Sequence, residues 1–263
     1  MPYIETPSGI SWFYRAKGEG KTLVFIHGLS FDSEVWLKQL DSFSQYKVVT
    51  LDLPGHGNST YKEKINLAEE LKFIFDKLGL NSVNIVGHSL GGLLALKLAI
   101  DYPKLLGKII LIGANAQFVR SPEYEYGLSQ ADVEKLRGFI KGNYPEILLV
   151  FIRWLFSKAE RRQSDFKEIW NLISQRKAWP KKEALEEFLS IIEQENLRSQ
   201  LSKIDLPALV ICGTEDPICP LESANYLGRE VKNSRVELFQ GCWHLPFLTE
   251  SKKFNDIAKD FLK

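Results

Sequence analysis

The run Val83-Asn84-Ile85-Val86-Gly87-His88-Ser89-Leu90-Gly91 and the Gly92-Leu93-Leu94-Ala95-Leu96-Lys97-Leu98-Ala99 that follows it leave the chain little choice of architecture. The β-branched apolar residues read as a buried strand, and the small residues and leucines after them read as a helix. Only a sharp turn separates the two, with a serine at its apex. Gly87 and Gly91 stand where any side chain would collide with neighbouring backbone in so tight a turn. The turn lifts the Ser89 hydroxyl clear of a sheet and sets it at a helix N-terminus, where backbone N–H groups favour negative charge. A hydroxyl held in this way is a candidate nucleophile.

Similar strand signals recur along the chain. Residues 3–5 and 10–15 read as a hairpin across Pro7-Ser8-Gly9; 22–26, 46–51, 82–86, 108–112, 208–212 and 235–239 read as further strands. Their near-continuous hydrophobicity is that of a sheet covered on both faces. Helical patterns fall between most of them, at 34–42, 67–78, 90–101, 221–230 and 251–262. Alternation of this kind implies parallel, right-handed crossovers. The pattern predicts an α/β fold: a mostly parallel eight-stranded sheet flanked by helices.

One stretch breaks the alternation. Residues 117–201 hold no convincing strand, only helical patterns at 130–141, 146–161, 165–175 and 182–195. They read as a helical lid inserted after strand 6, with residues 1–116 and 202–263 as the core. The segment is rich in bulky aromatics, most of which its own packing accounts for. Phe151, Trp154 and Leu155 are candidates for its inner, substrate-facing side, residues 151 and 155 being four apart. Between Lys135 and Lys182 stand twelve Lys or Arg against four acidic residues, a local balance of +8. The whole chain has 34 basic and 33 acidic residues, so 22 and 29 remain elsewhere: a basic lid on an acidic body. Such charge steers association and is screened by salt. It reads either as a solvated face or as a docking surface for an acidic partner or a phosphate-bearing substrate.

The overall charge of +1 gives no general attraction to nucleic acid or membrane, and no apolar run approaches the ~20 residues of a bilayer span. The first residues lack the basic and apolar regions of a secretory signal. Three cysteines, Cys212, Cys219 and Cys242, form no disulfide framework, and a reducing cytoplasm is expected. No metal or organic cofactor is implied, since there is no H-E-x-x-H, no G-x-G-x-x-G and no ligand cluster in the sequence.

A serine hydroxyl needs a base. Of four histidines, His88 sits beside the serine, His27 and His56 lie in turn-rich segments, and His244 follows the last strand in Gly241-Cys242-Trp243-His244-Leu245-Pro246-Phe247. A loop there can lower His244 onto a serine at the top of a central strand. The base needs an acid to hold its tautomer. Asp216, after the strand 208–212, is the best candidate and Glu215 the runner-up; Asp52 also ends a strand but precedes the serine. Negative charge on a tetrahedral intermediate would meet the backbone N–H groups of Leu90 and of Leu29, in His27-Gly28-Leu29.

These motifs, and the order Ser89, Asp216, His244, resemble the α/β-hydrolase superfamily along essentially the whole chain. Val24-Phe25-Ile26-His27-Gly28 with Glu34-Val35-Trp36, Leu51-Asp52-Leu53-Pro54-Gly55-His56-Gly57-Asn58-Ser59, the late stretch from Asn196 to Leu201 and His244-Leu245-Pro246-Phe247 are similar to the biotin-pathway esterases that cleave pimeloyl-acyl-carrier-protein methyl ester. That resemblance implies a serine carboxylic ester hydrolase acting on an acyl ester of moderate chain length. It also implies lid arginines that engage an acyl carrier protein, here Arg153, Arg161 and Arg162, beside an acyl tunnel lined by Phe151 and Leu155. The chain departs from the family at His88, where tryptophan is frequent, and at Leu29, where a bulky aromatic is common. General carboxylesterase, enol-lactonase and carbon–carbon bond hydrolase activities use the same motifs, and a ligand receptor of this fold could retain the triad.

Overall fold

A computed structural model describes residues 2–142 and 144–263. Its eight strands are β1 (Tyr3–Glu5), β2 (Ser11–Lys17), β3 (Thr22–Ile26), β4 (Lys47–Leu51), β5 (Val83–His88), β6 (Leu106–Ile112), β7 (Ala208–Gly213) and β8 (Ser234–Phe239). The helices, in chain order, are α1 (Leu37–Leu40), α2 (Leu67–Lys77), α3 (Leu90–Asp101), α4 (Gln130–Lys141), α5 (Glu146–Trp154), α6 (Phe166–Ser174), α7 (Lys182–Gln194), α8 (Leu221–Glu230), α9 (Pro246–Thr249) and α10 (Ser251–Leu262). The strands form one sheet in the order β1-β2-β4-β3-β5-β6-β7-β8. The β1–β2 and β2–β4 pairs are antiparallel and the rest parallel.

Strands β3, β5 and β7 are buried at every position, as expected where helices cover both faces. Helix α3 runs on from β5 and is apolar nearly all round; only a helix sunk in the core tolerates that. Local signals set the ends of other helices. Asn66 caps α2 by accepting from Ala68 and Glu69 N–H groups, and Ser129 and Asp132 cap each other at the start of α4.

Helices α4 to α7 lie between β6 and β7, with only isolated bridges among the described residues of that stretch outside the helices. Two helical expectations need correction. Residues 146–161 are not one helix: α5 stops at Trp154, and a separate 3-10 turn spans Glu160–Arg162. Ser157 accepts from Glu160 N–H at 3.0 Å while the Glu160 carboxylate accepts from Ser157 N–H at 2.7 Å, so the chain starts a new turn here. Residues 34–42 are likewise a succession of short 3-10 and α turns, begun by Asp32 capping Glu34 N–H. Among the described residues no helix is long and apolar enough to cross a membrane.

Candidate active site

The parallel strands end on one edge of the sheet, where ligand sites of such sheets form. Four of those ends supply the candidate groups. Ser89 follows β5 with φ 53° and ψ −115°, a conformation that side chains other than glycine rarely hold. Its own N–H donates to Ile112 C=O at 2.8 Å. The turn closes because Gly87 and Gly91 lack side chains: a Cβ at 87 would strike the Gly91 carbonyl, and one at 91 the Ile26 carbonyl. Leu29 and Leu90 flank the serine, and neither of their N–H groups has an acceptor among the described residues.

His27 shapes the Leu29 loop. Its Nε2 accepts from Leu53 N–H at 2.9 Å, so Nδ1 carries the proton and donates to Gly28 C=O at 2.8 Å. Gly28 passes so near Ser89 that an added Cβ would stand 3.0 Å from the serine Cβ. Ser30, next in the loop, holds φ 74°, and its carbonyl takes Nη1–H of Arg176 at 2.5 Å. Arg176 comes from the insertion and is itself buried, with its guanidinium over Trp179.

His244 and Asp216 are buried and joined, Nδ1–H donating to Oδ2 at 2.8 Å. The other carboxylate oxygen accepts from Ile218 N–H at 2.8 Å and Cys219 N–H at 3.0 Å, which fixes the group's direction. Glu215 is exposed, and Asp52 is occupied by the Ser33 and Asn58 N–H groups. His244 shares one cavity with Ser89. No hydrogen bond joins Ser89 Oγ to the imidazole among the described residues; such bonds commonly tighten only when substrate is bound.

His88 is fully buried. Its Nε2–H donates to the His244 carbonyl at 3.1 Å, and burial pushes its pKa far below 6.5, keeping it neutral. His56 stacks on Phe188 and stays neutral for the same reason. The cluster Asp216, Cys219 and His244 brings three ligand-type atoms within 4.8 Å of one another. The Asp216 and His244 atoms already bind each other, and the Cys219 thiol, its pKa raised by burial, donates to Gly113 C=O.

The cavity holds about 410 Å³ of free space, part of it open to solvent. Leu29, Phe31 and Ile218 line it from the core, and Leu136, Phe151, Leu155, Leu189 and Ile192 from the insertion helices and their ends. Apart from Ser89, His88 and His244 the lining is apolar. Phe151 and Leu155 therefore line the cavity that holds Ser89. Trp154 does not: it is 37% exposed and packs edge-on against Trp243, because α5 turns that side outward. Arg153, Arg161 and Arg162 also lie away from the cavity. Arg153 rests over the Phe166 and Trp170 rings and Arg161 donates to Ser157 C=O. Arg176 and Glu160 are the residues that sequence reasoning missed. For Glu160 a signal existed, the Ser-x-x-Glu capping pattern inside a basic stretch; for Arg176 there was none.

A family profile described as alpha/beta hydrolase fold matches residues 21–251. The pimeloyl-[acyl-carrier protein] methyl ester esterase of Nitrosospira multiformis is 30% identical over 253 residues, covering 93% of this chain and 95% of that protein. The enzyme of the same name from Nitrosomonas europaea is 28% identical over 238 residues, covering 90% and 94%. Among solved structures, an esterase from Exiguobacterium antarcticum matches with a TM-score of 0.89 at 24% identity over 98% of both chains. The enol-lactonase from Burkholderia xenovorans LB400 matches at 0.87 and 22% over 99% of both. At such identities these two structures speak for the fold alone.

Proposed function

The chain belongs to the alpha/beta hydrolase family, and on that premise we propose that it is a serine carboxylic ester hydrolase with Ser89 as nucleophile, His244 as base and Asp216 as the acid behind it. The observation that carries the reading is the buried Asp216–His244 pair opening into the same apolar cavity as a serine held at φ 53°. Ser89 Oγ attacks the ester carbonyl as His244 Nε2 takes its proton, and Asp216 stabilises the imidazolium. The oxyanion is met by Leu29 and Leu90 N–H groups; one such donor is worth ~3–4 kcal/mol at the barrier. His244 then protonates the leaving alcohol, and water clears the acyl-enzyme by the same route.

The apolar lining supports an uncharged acyl chain of moderate length as the group bound beside Ser89. Each methylene buried there adds ~0.8 kcal/mol, so chain length is discriminated sharply. Helices α4 to α7 act as a lid in this reading, with residues 117–201 as its extent. The finer substrate is the methyl ester of a pimeloyl chain carried on an acyl carrier protein. It is supported by the names of the relatives and by the basic balance of the insertion, on which the acidic carrier would dock.

The test is steady-state kinetics on p-nitrophenyl esters from acetate to decanoate beside pimeloyl-carrier-protein methyl ester. Ser89→Ala is expected to lose all but a trace of turnover on every substrate, and retained activity would overturn the mechanism. A kcat/KM at least about ten-fold higher on the carrier substrate, equal to about 1.4 kcal/mol, supports the finer reading; a preference for free short esters overturns it.

A further inference from the structure

The insertion is tied to the histidine loop by a buried carboxylate. Glu160 is 2% exposed, and it forms no ion pair among the described residues. A carboxylate withdrawn from water in this way is costly unless donors meet its lone pairs. Three do. Oε2 accepts from Ser157 N–H at 2.7 Å, within the turn that fixes the side chain's direction. Oε1 accepts from Trp243 N–H at 3.2 Å and from the Thr249 hydroxyl at 2.9 Å. The last two donors bracket His244.

The next N–H along is held from the same side. His244 N–H donates at 3.3 Å to Leu155 C=O, one of the carbonyls left free where α5 ends. The His244 carbonyl takes His88 Nε2–H, and its Nδ1–H goes to Asp216. Every polar atom of His244 except Nε2 is therefore held. The holds on its N-terminal side come from the insertion.

We propose that Glu160 is a positioning residue for the base: through Trp243 and Thr249 it fixes the loop that aims His244 Nε2 at Ser89. The inference rests on the reading of Ser89 and His244 as nucleophile and base. It makes the corner between α5 and the Glu160–Arg162 turn part of the catalytic mount. Swinging the whole insertion away as a rigid body would remove Leu155 C=O and the Glu160 carboxylate together. Two consecutive N–H groups of the histidine loop would lose their acceptors. Motion that admits substrate is confined to the parts of the insertion that do not touch this loop.

The experiment uses full-length wild type, Ser89→Ala, Glu160→Gln, Thr249→Val and Thr249→Ser. A fluorophosphonate probe counts reactive Ser89, and turnover of a short p-nitrophenyl ester is expressed per labelled site. Glu160→Gln keeps the shape but turns an amide N–H₂ towards one of the donors. Its kcat per labelled site is expected to fall about ten-fold or more, with KM within about two-fold, since small misalignments of a base cost up to ~10²-fold. Thr249→Val is expected to fall about three-fold and Thr249→Ser to recover, because the serine hydroxyl restores the bond to Oε1. If Glu160→Gln does not fold, the Thr249 pair decides. Unchanged kcat per labelled site in Glu160→Gln and Thr249→Val, even with lower thermal stability, overturns the proposal and leaves Glu160 as a support for the insertion. Failure of the probe to label wild-type Ser89 overturns the underlying reading instead.

Discussion

The sheet core and the helical insertion prepare the site by different means. The core works through backbone: φ 53° at Ser89, two free N–H groups at Leu29 and Leu90, and glycines at 87 and 91 that let strands and helix touch. The insertion works mainly through side chains: apolar groups that wall the cavity, Arg176 on the Ser30 carbonyl and Glu160 on the histidine loop, where the Leu155 carbonyl adds a backbone hold. Backbone devices tolerate almost no substitution. Side-chain devices can be exchanged for others of similar reach, so the cavity wall of the insertion is freer to vary than the turn of the core.

Two helix glycines break or sharpen that contrast most strongly. Gly91 in α3 faces the Ile26 and His27 carbonyls, whereas at Gly138 in α4 an added Cβ meets nothing within 4 Å. Gly91→Ala is expected to cost about 3 kcal/mol or more through forced overpacking of backbone. Gly138→Ala is expected to stabilise by about 0.5–1 kcal/mol, the helix-propensity gain alone. Urea unfolding of both variants checks this; equal signs would show that the insertion is as tightly built as the core.

Acid should strike the core next. Burial pushes the pKa of His27 down to about 4, of His56 to about 3 and of His88 well below 6.5. Between about pH 4 and 6.5 the unfolded chain binds these protons and the folded one does not, so stability is full above 6.5 and falls as pH drops. Asp32 opposes them. Burial raises it to about 6, so from about pH 6 down to 4 the folded state holds a proton that the unfolded state lacks. Three histidines against one carboxyl leave a net loss of stability as pH falls from 6.5 towards 4. Unfolding midpoints at pH 7, 6 and 5 measure it; a flat profile would mean that the histidines are hydrated in solution.

The smallest and most selective effect belongs to the insertion's surface. Reversing Arg153, Arg161 and Arg162 to glutamate is expected to raise KM for a carrier-protein substrate about ten-fold while leaving small esters within about two-fold. Arg161 and Arg162 are reversed first, since Arg153 also packs on Phe166 and Trp170. Equal effects on both substrates would remove the docking surface.

The same contrast explains what the sequence disclosed. Core strands and α3 were legible to within a few residues because burial on both faces writes long apolar runs, and α4, α6, α7, α8 and α10 because one apolar stripe recurs at helical spacing. The candidates Ser89, Asp216 and His244 stood out because each follows a strand, and those strands end on the same edge. The break after Trp154 was not, since apolar periodicity runs through Leu155 and Phe156, and what stops the helix is a reciprocal cap at Ser157 and Glu160. Trp154 was misplaced for a related reason: α5 is apolar on nearly every side, and spacing alone does not say which side faces in. Arg176 lay hidden among twelve basic residues that look alike until the fold buries one of them.

The sheet order has a consequence for how the activity comes into being. Ser89 lies at the centre of the sheet, while its partner comes from beyond β8 at the edge, 155 residues later in the chain. Contacts of such separation are among the slow ones to form. In the proposed reading, the serine turn alone is chemically silent until the strand order is complete. Hydrolysis in that reading needs both ends of that span at once, so a fragment that stops before β8 would not carry the reaction.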